Sequence, residues 1–396
     1  MSSTSTSGPL SGIRVVELAG LGPCQFAGKF LAELGADVVV VDRPGGNGWF
    51  PDRASDNLLN RGKRSVLMDL RQPEDLAVVL DLITQADILI EGYRPGVTER
   101  LGLGPNECLG RNPRLIYGRM TGWGQEGPLS QVAGHDLNYI GVTGVVDAMG
   151  YADAPPVVPL NVVGDFGGGG NYLVIGVLSA LVERSLSGAG QVIDAAIVDG
   201  AAHLLNGIHA MMAVGAWGRP RGENLLDGGA PFYTTYATAD GRRMAVCAIE
   251  PAFYAALLTG LGLDISIDPA LQNDRSTWPA LRAAFEAAFA TRTQDEWSEI
   301  FNGTDACVSP VLSLRDAARH PHVAVRRSLT EVDGIIQAGP APRFSRSTTN
   351  TLEGSPSPGQ DTARVLHEWG VGLPAPVSLP AGARPVRAVS TERNPK

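Results

Sequence analysis

The chain has 396 residues, with 32 lysines and arginines against 41 aspartates and glutamates, so its formal net charge is −9. At 44% hydrophobic and 18% charged residues it is ordinary globular material, long enough to bury a real core and to divide into two domains. The acidic balance argues against an extended nucleic-acid surface and leaves room only for a local basic pocket that takes a small anion.

The N-terminal MSSTSTSGPL has no apolar stretch and does not read as a signal peptide. Residues 1–8 and 373–396 are Ser-, Pro- and Ala-rich without periodicity and read as flexible tails. Ile13–Leu18 reads as a strand, followed by a Gly-rich turn and a helix through Leu34 that Gly35 closes. Ala36–Val41, Ser65–Leu70, Ile88–Tyr93 and Arg114–Met120 read as further strands, with a helix over Pro73–Gln85. Strands so continuously apolar, alternating with helices, predict a parallel sheet covered on both faces. Gly20 and Gly22 fit the start of a dinucleotide-binding turn, but Gln25 stands where the third glycine belongs, so the turn reads as a tight corner and not as an NAD site.

Asp165 precedes four glycines and a helix over Asn171–Ser185; a strand over Gln191–Ala195 and a helix over Val198–Val214 follow. The longest apolar run, Tyr172 to Val182, is too short to cross a bilayer, which predicts no membrane partner. Residues 217–230 loosen into a linker, and Phe232–Ala248 reads as a hairpin around Ala239-Asp240-Gly241. Helices are expected at 251–260, 278–291, 294–302 and Asp361–Trp369. The four cysteines, Cys24, Cys108, Cys247 and Cys307, lie far apart with no C-x-x-C pair, and read as reduced thiols of a cytoplasmic protein. The six histidines are scattered and suggest no metal site.

The stretches LSGIRVVELAGLGP, VVVVDRPGG, RGKRSVLMDL, EGYRPGVTERLGLGP, PRLIYGRMTGWGQEGP, AGHDLNYI, PLNVVGDFGGGG, GAGQVIDAAIVDG, NLLDGGAPFYTTY, AIEPAFYAALLTGLGL and GTDACVSPVL together resemble the α-methylacyl-CoA racemases of the family III CoA-transferase superfamily. The resemblance implies an α/β fold with a Rossmann-like parallel-sheet large domain and a smaller α+β domain, in an interlocked homodimer whose active site lies between subunits. On that pattern the large CoA-binding domain spans 9–216, the linker 217–230, the small domain 231–330, and 331–372 returns to pack on the large domain.

Racemisation beside a thioester needs one group on each face of an acidic carbon, one starting as base and the other as acid. The resemblance implies His135 (AGHD) and Asp165 (GDFGGGG) as that pair, with Glu250 (AIEP) as partner to the histidine. Each has a plainer reading: His135 as a turn histidine, Asp165 as a helix N-cap, Glu250 as the start of a helix before Pro251. Capping would lower the pKa of Asp165, whereas acid work near neutrality needs it raised by burial. The enolate intermediate needs preorganised donors, and the backbone N–H of Asp136 at a helix start is the candidate.

Phosphates of CoA need cations, and the resemblance implies Arg43, Arg94 and Arg100 near the nucleotide, with Met68, Asp69, Leu70 and Arg71 of MDLR lining the same crevice. Against this, Arg94 and Arg100 could merely pair with Glu91 and Glu99. Gly134, Asp136, Leu137, Asn138 and Tyr139 of GHDLNY are implied in substrate binding, and the methionines near His209–Met212 either line the acyl chain or are plain core. CoA is then part of the substrate, with no separate cofactor. Competing readings are a CoA-transferase with Asp165 as covalent nucleophile, and a non-catalytic acyl-CoA-binding chain.

Overall fold

Val38–Val41 and Ile88–Ile90 are apolar at every position, so each strand must be covered on both faces. A computed structural model describes residues 8–18, 20–45, 57–332, 334–349 and 354–372 and shows how this is done. Strands β1 (Arg14–Leu18), β2 (Asp37–Asp42), β3 (Arg64–Leu67), β4 (Ile88–Glu91), β5 (Ile116–Thr121) and β6 (Val192–Ala196) form one parallel sheet in the order β3-β2-β1-β4-β5-β6.

Helices α1 (Pro23–Glu33), α2 (Pro73–Thr84), α3 (Val97–Arg100), α4 (Pro105–Arg111), α5 (Asp136–Gly141) and α6 (Asn171–Ser187) run between the strands. Successive strand residues point to opposite faces. Val16, Val39 and Leu89 therefore meet Val79, Leu82 and Ile83 of α2, while Val15, Val38 and Ile88 meet Ala27 and Leu31 of α1 and Leu173, Val174 and Val177 of α6.

After β6 come α7 (Ile197–Leu204) and α8 (Asn206–Ala213). Strands β7 (Tyr233–Ala237), β8 (Arg243–Cys247) and β9 (Val308–Val311) form a second, antiparallel sheet in that order, packed with α9 (Pro251–Leu261), α10 (Trp278–Phe289) and α11 (Gln294–Phe301) around Phe232, Tyr236, Tyr254, Phe285 and Trp297. Short helices α12 (Leu314–Ala317) and α13 (Pro321–Arg326) lead to a hairpin of β10 (Leu329–Val332) and β11 (Ile335–Ala338). The last helix, α14 (Thr362–Trp369), returns to the large sheet. There the Ser65 N–H donates to Asp361 Oδ2 at 3.0 Å and Trp369 Nε1 donates to Asp37 Oδ2 at 2.9 Å.

Several elements differ from the sequence-based expectations. The third strand ends at Leu67 because the Asp69 carboxylate accepts the Arg71 N–H and closes a turn. The fourth ends at Glu91, whose Oε2 accepts the Tyr93 N–H at 2.7 Å. The single helix expected over Val198–Val214 breaks at Leu205 into α7 and α8. Residues 162–170 form a π-helical segment that runs straight into α6, so Asp165 lies inside a helix and is not its N-cap.

The glycines allow this wide turn: a Cβ at Gly168 would strike the backbone of Gly200 and Ala201, and one at Gly170 would meet Phe26 and Pro23. The continuous helix Val162–Ser187 is by length and composition alone long and apolar enough to cross a membrane, unlike the shorter run read from the sequence. Of the expected tails, residues 1–7 and 373–396 lie outside the described residues, and Gly8 is buried against Leu34 and Gly35. Cys24 and Cys108 are buried; Cys247 and Cys307, distant in sequence, meet across β8 and β9, where the Cys247 N–H donates to Cys307 O at 3.0 Å.

Candidate active site

Strand β1 pairs with both β2 and β4, so the strand order reverses there. In open α/β sheets the crevice outside the carboxyl ends of the strands at such a reversal is where ligands sit. The β1–α1 turn crosses this crevice as a tight corner, with Gly22 in the left-handed region at φ +55°. A Cβ on Gly22 would lie 3.3 Å from Asp165 Oδ2, so the carboxylate rests directly over the turn.

Asp165 is partly buried in the π segment, and such widened turns recur at functional sites. Burial pushes its carboxyl above the ordinary range. A hydrogen bond from Asn161 opposes that rise, the Asp136 charge adds to it, and His135 pulls it back. The Asn161 side-chain NH2 donates to Asp165 Oδ2 at 3.1 Å. The direction required of an acid is thus the direction found, and the capping reading that would have lowered it fails.

His135 stands exposed at the N-cap of α5. Its backbone N–H donates to Asn138 Oδ1 at 3.0 Å. The next residue, Asp136, turns back: its Oδ1 accepts the Asp165 N–H at 2.7 Å. Burial raises the Asp136 carboxyl, held back by the N–H groups of Asp165 and Gly164. The turn that carries His135 and the segment that carries Asp165 are therefore joined through the Asp136 side chain.

Tyr139 joins the cluster. Burial and then the Asp165 charge raise its phenol, and Arg94 opposes them. Arg43, exposed after β2, acts in the same sense on Tyr93 at the mouth of the crevice.

The other expected residues are placed as follows. Met68 is 2% exposed, a core side chain, and Leu70 packs against the same cluster. Arg71 extends into solvent and pairs with Asp69 at 2.9 Å. Arg100 ends α3 beside Gly96. Leu137 is 41% exposed. The methionine stretch in α8 is not core: no residue of that helix is buried, and Met212 is 53% exposed. Glu250 begins α9 on the small sheet, exposed, close enough to Cys307 to raise its thiol, and no hydrogen bond joins it to His135 among the described residues.

The model of CoA-transferase family III matches residues 10–362. The chain is 47% identical to the alpha-methylacyl-CoA racemase of Mus musculus over 91% of this chain and 93% of that one. It is 44% identical to the racemase of Homo sapiens over the same shares. The chain belongs to CoA-transferase family III. A CAIB/BAIF family protein from Brucella suis has the same architecture, with TM-score 0.78 and 27% identity over 91% of this chain and 99% of that one. Within family III the chain stands with the racemases, an enzyme of the isomerase class.

Two features of this family III site were not anticipated from the sequence. Asn161 is one; the N-x-x-x-D spacing, which puts it one helical turn before Asp165, was the available signal. The other is Arg119. It pairs with Glu91 at 3.0 Å and Glu99 at 2.8 Å, so the carboxylates considered as partners for Arg94 and Arg100 are taken by a third arginine. Among the described residues neither Arg94 nor Arg100 makes an ion pair, and both remain exposed.

Proposed function

We propose that this enzyme inverts the 2-methyl centre of 2-methylacyl-CoA thioesters by removing the C2 proton and returning one to the opposite face. His135 and Asp165 serve as the two proton carriers. In one direction the imidazole takes the C2 proton, the electron pair moves onto the thioester oxygen as an enolate, and the Asp165 carboxyl gives its proton to the other face of C2. The reverse direction exchanges the roles. The observation that carries this reading is the Asp136 carboxylate, which ties the His135 turn to the Asp165 backbone.

A carboxyl raised by burial suits an acid that must hold a proton near neutrality. The Asp136 N–H, at the first position of α5, is the donor we assign to the enolate oxygen. Arg43 and Arg94 supply positive charge for the phosphates of CoA, which is part of the substrate.

We also infer a homodimer. Among the described residues no hydrogen bond joins Glu250 to His135, and the exposed residues of α8 and Val157, Val158, Leu160 and Val162 offer apolar surface that a second copy would bury.

Incubation with a single epimer of a 2-methylacyl-CoA in deuterated water tests the reading. Deuterium at C2 with loss of chirality supports it. Transfer of CoA to a free acid without label would replace it with covalent chemistry on Asp165.

A further inference from the structure

One peptide unit, the plane between Gly134 and His135, is gripped at both polar ends. Its carbonyl accepts the Tyr139 hydroxyl, and its N–H donates to Asn138 Oδ1 at 3.0 Å. Both gripping side chains come from the first turn of α5, the helix that His135 itself starts. The Tyr139 ring is wedged in place: a Cβ on Gly122 or Gly134 would run into it, and the Trp123 ring meets it edge-on at 4.8 Å and 87°.

A peptide plane moves as a rigid unit. Fixing both its ends fixes the direction in which the next Cα carries its side chain, which here is the His135 imidazole. The residue is exposed and starts a helix of only six residues, so the direction in which its backbone carries the side chain matters most.

We propose that Tyr139 and Asn138 are positioning residues for His135, acting through the Gly134–His135 peptide plane, and not contacts to the CoA substrate. The Tyr139 proton is committed to a backbone carbonyl, and the Asn138 oxygen to a backbone N–H, so neither group is free to read a ligand with that atom. The proposal rests on the proton-transfer role given to His135 above and narrows the binding role that GHDLNY implied for these two residues.

The test compares Tyr139→Phe, Asn138→Ala and the double variant with the native enzyme in C2 proton exchange and in amide hydrogen exchange of the peptide that carries His135. The phenylalanine keeps the wedged ring and removes only the hydroxyl. Each single variant is expected to lower kcat by about tenfold with KM held within about twofold, because geometry and not binding is lost. The double variant is expected to be only slightly worse than the poorer single, since both act on one plane. The His135 segment is expected to exchange its amides faster in all three.

A raised KM with unchanged kcat would make these residues substrate contacts and overturn the proposal, as would unaltered amide exchange. If the native enzyme exchanges no C2 proton, the racemase reading falls by itself, and the amide comparison still decides whether Tyr139 and Asn138 hold the plane.

Discussion

Asp136 Oδ1 accepts the backbone N–H of Asp165 at 2.7 Å, so the turn bearing the histidine and the π segment bearing the acid are fastened through one side chain. The bond spans two pieces of chain that the fold brings together from either side of the irregular stretch before Val162. Cutting it with Asp136→Ala is expected to slow C2 proton exchange by about a hundredfold, since displacements of about 1 Å between reacting groups cost that much. The same variant should lose about 2 kcal/mol of stability, a charged acceptor having been removed from two N–H groups. Steady-state exchange and denaturant unfolding read the two effects.

The pH profile offers a signed test. Asp136 raises the Asp165 carboxyl and Asn161 lowers it. Asp136→Asn removes the neighbouring charge, so in the direction in which Asp165 donates its proton the alkaline limb of kcat/KM should move to lower pH. Asn161→Ala removes a hydrogen bond to the carboxylate, so the same limb should move to higher pH, by up to about one unit. Shifts in the same direction for both variants would exclude Asp165 as the group that titrates.

Gly22 is held at φ +55° with Asp165 Oδ2 3.3 Å from where a Cβ would stand. Gly22→Ala should therefore cost about 1–2 kcal/mol in backbone strain. It should also displace the carboxylate, lowering kcat more than it alters KM. Thermal unfolding alongside exchange kinetics separates the two.

Arg119 lies between a fully buried Glu91 and a half-exposed Glu99. Arg119→Met leaves the Glu91 carboxylate stranded and should destabilise by about 3–5 kcal/mol, of which the Arg119→Met/Glu91→Leu double variant should recover most. Burial already pushes Glu91 up to about 7 from 4.5, against the pull of the Tyr93 N–H and Arg119. A carboxyl raised in the folded state contributes stability below its unfolded value and loses it as pH rises through the folded one. Stability of Arg119→Met should accordingly decline more steeply than that of the native chain between about pH 5 and about pH 8.

The parallel sheet was legible because apolar strands and helical periodicity are local signals, and even the turn at Gly22 could be read as a corner. The π segment was not: four glycines in a row carry no propensity for a widened helix, and the close approach of Gly200, Ala201, Phe26 and Pro23 that requires them is set by distant parts of the chain. Asp165 consequently looked like a cap. Among the site residues, Asp136 of the GHD motif met Asp165 of the GDFGGGG motif, whereas Glu250 of AIEP did not hydrogen-bond to His135 among the described residues. Those judged by charge alone were harder to place, because Arg119, on a strand otherwise apolar, competed for the acidic partners. Cys247 and Cys307 show the same limit, since their meeting depends on a third strand, β9, that sequence periodicity did not reveal.

The return of α14 to the large sheet bears on how the chain folds. Val365, Leu366 and Trp369 complete the core that Val16, Val39 and Val66 begin, and the Arg14 guanidinium lies 5.1 Å from the Trp369 ring centre. One face of the sheet that these early strands build is thus sealed only by a helix remote from them in sequence. Contacts so remote in sequence slow folding and leave apolar surface open until they form.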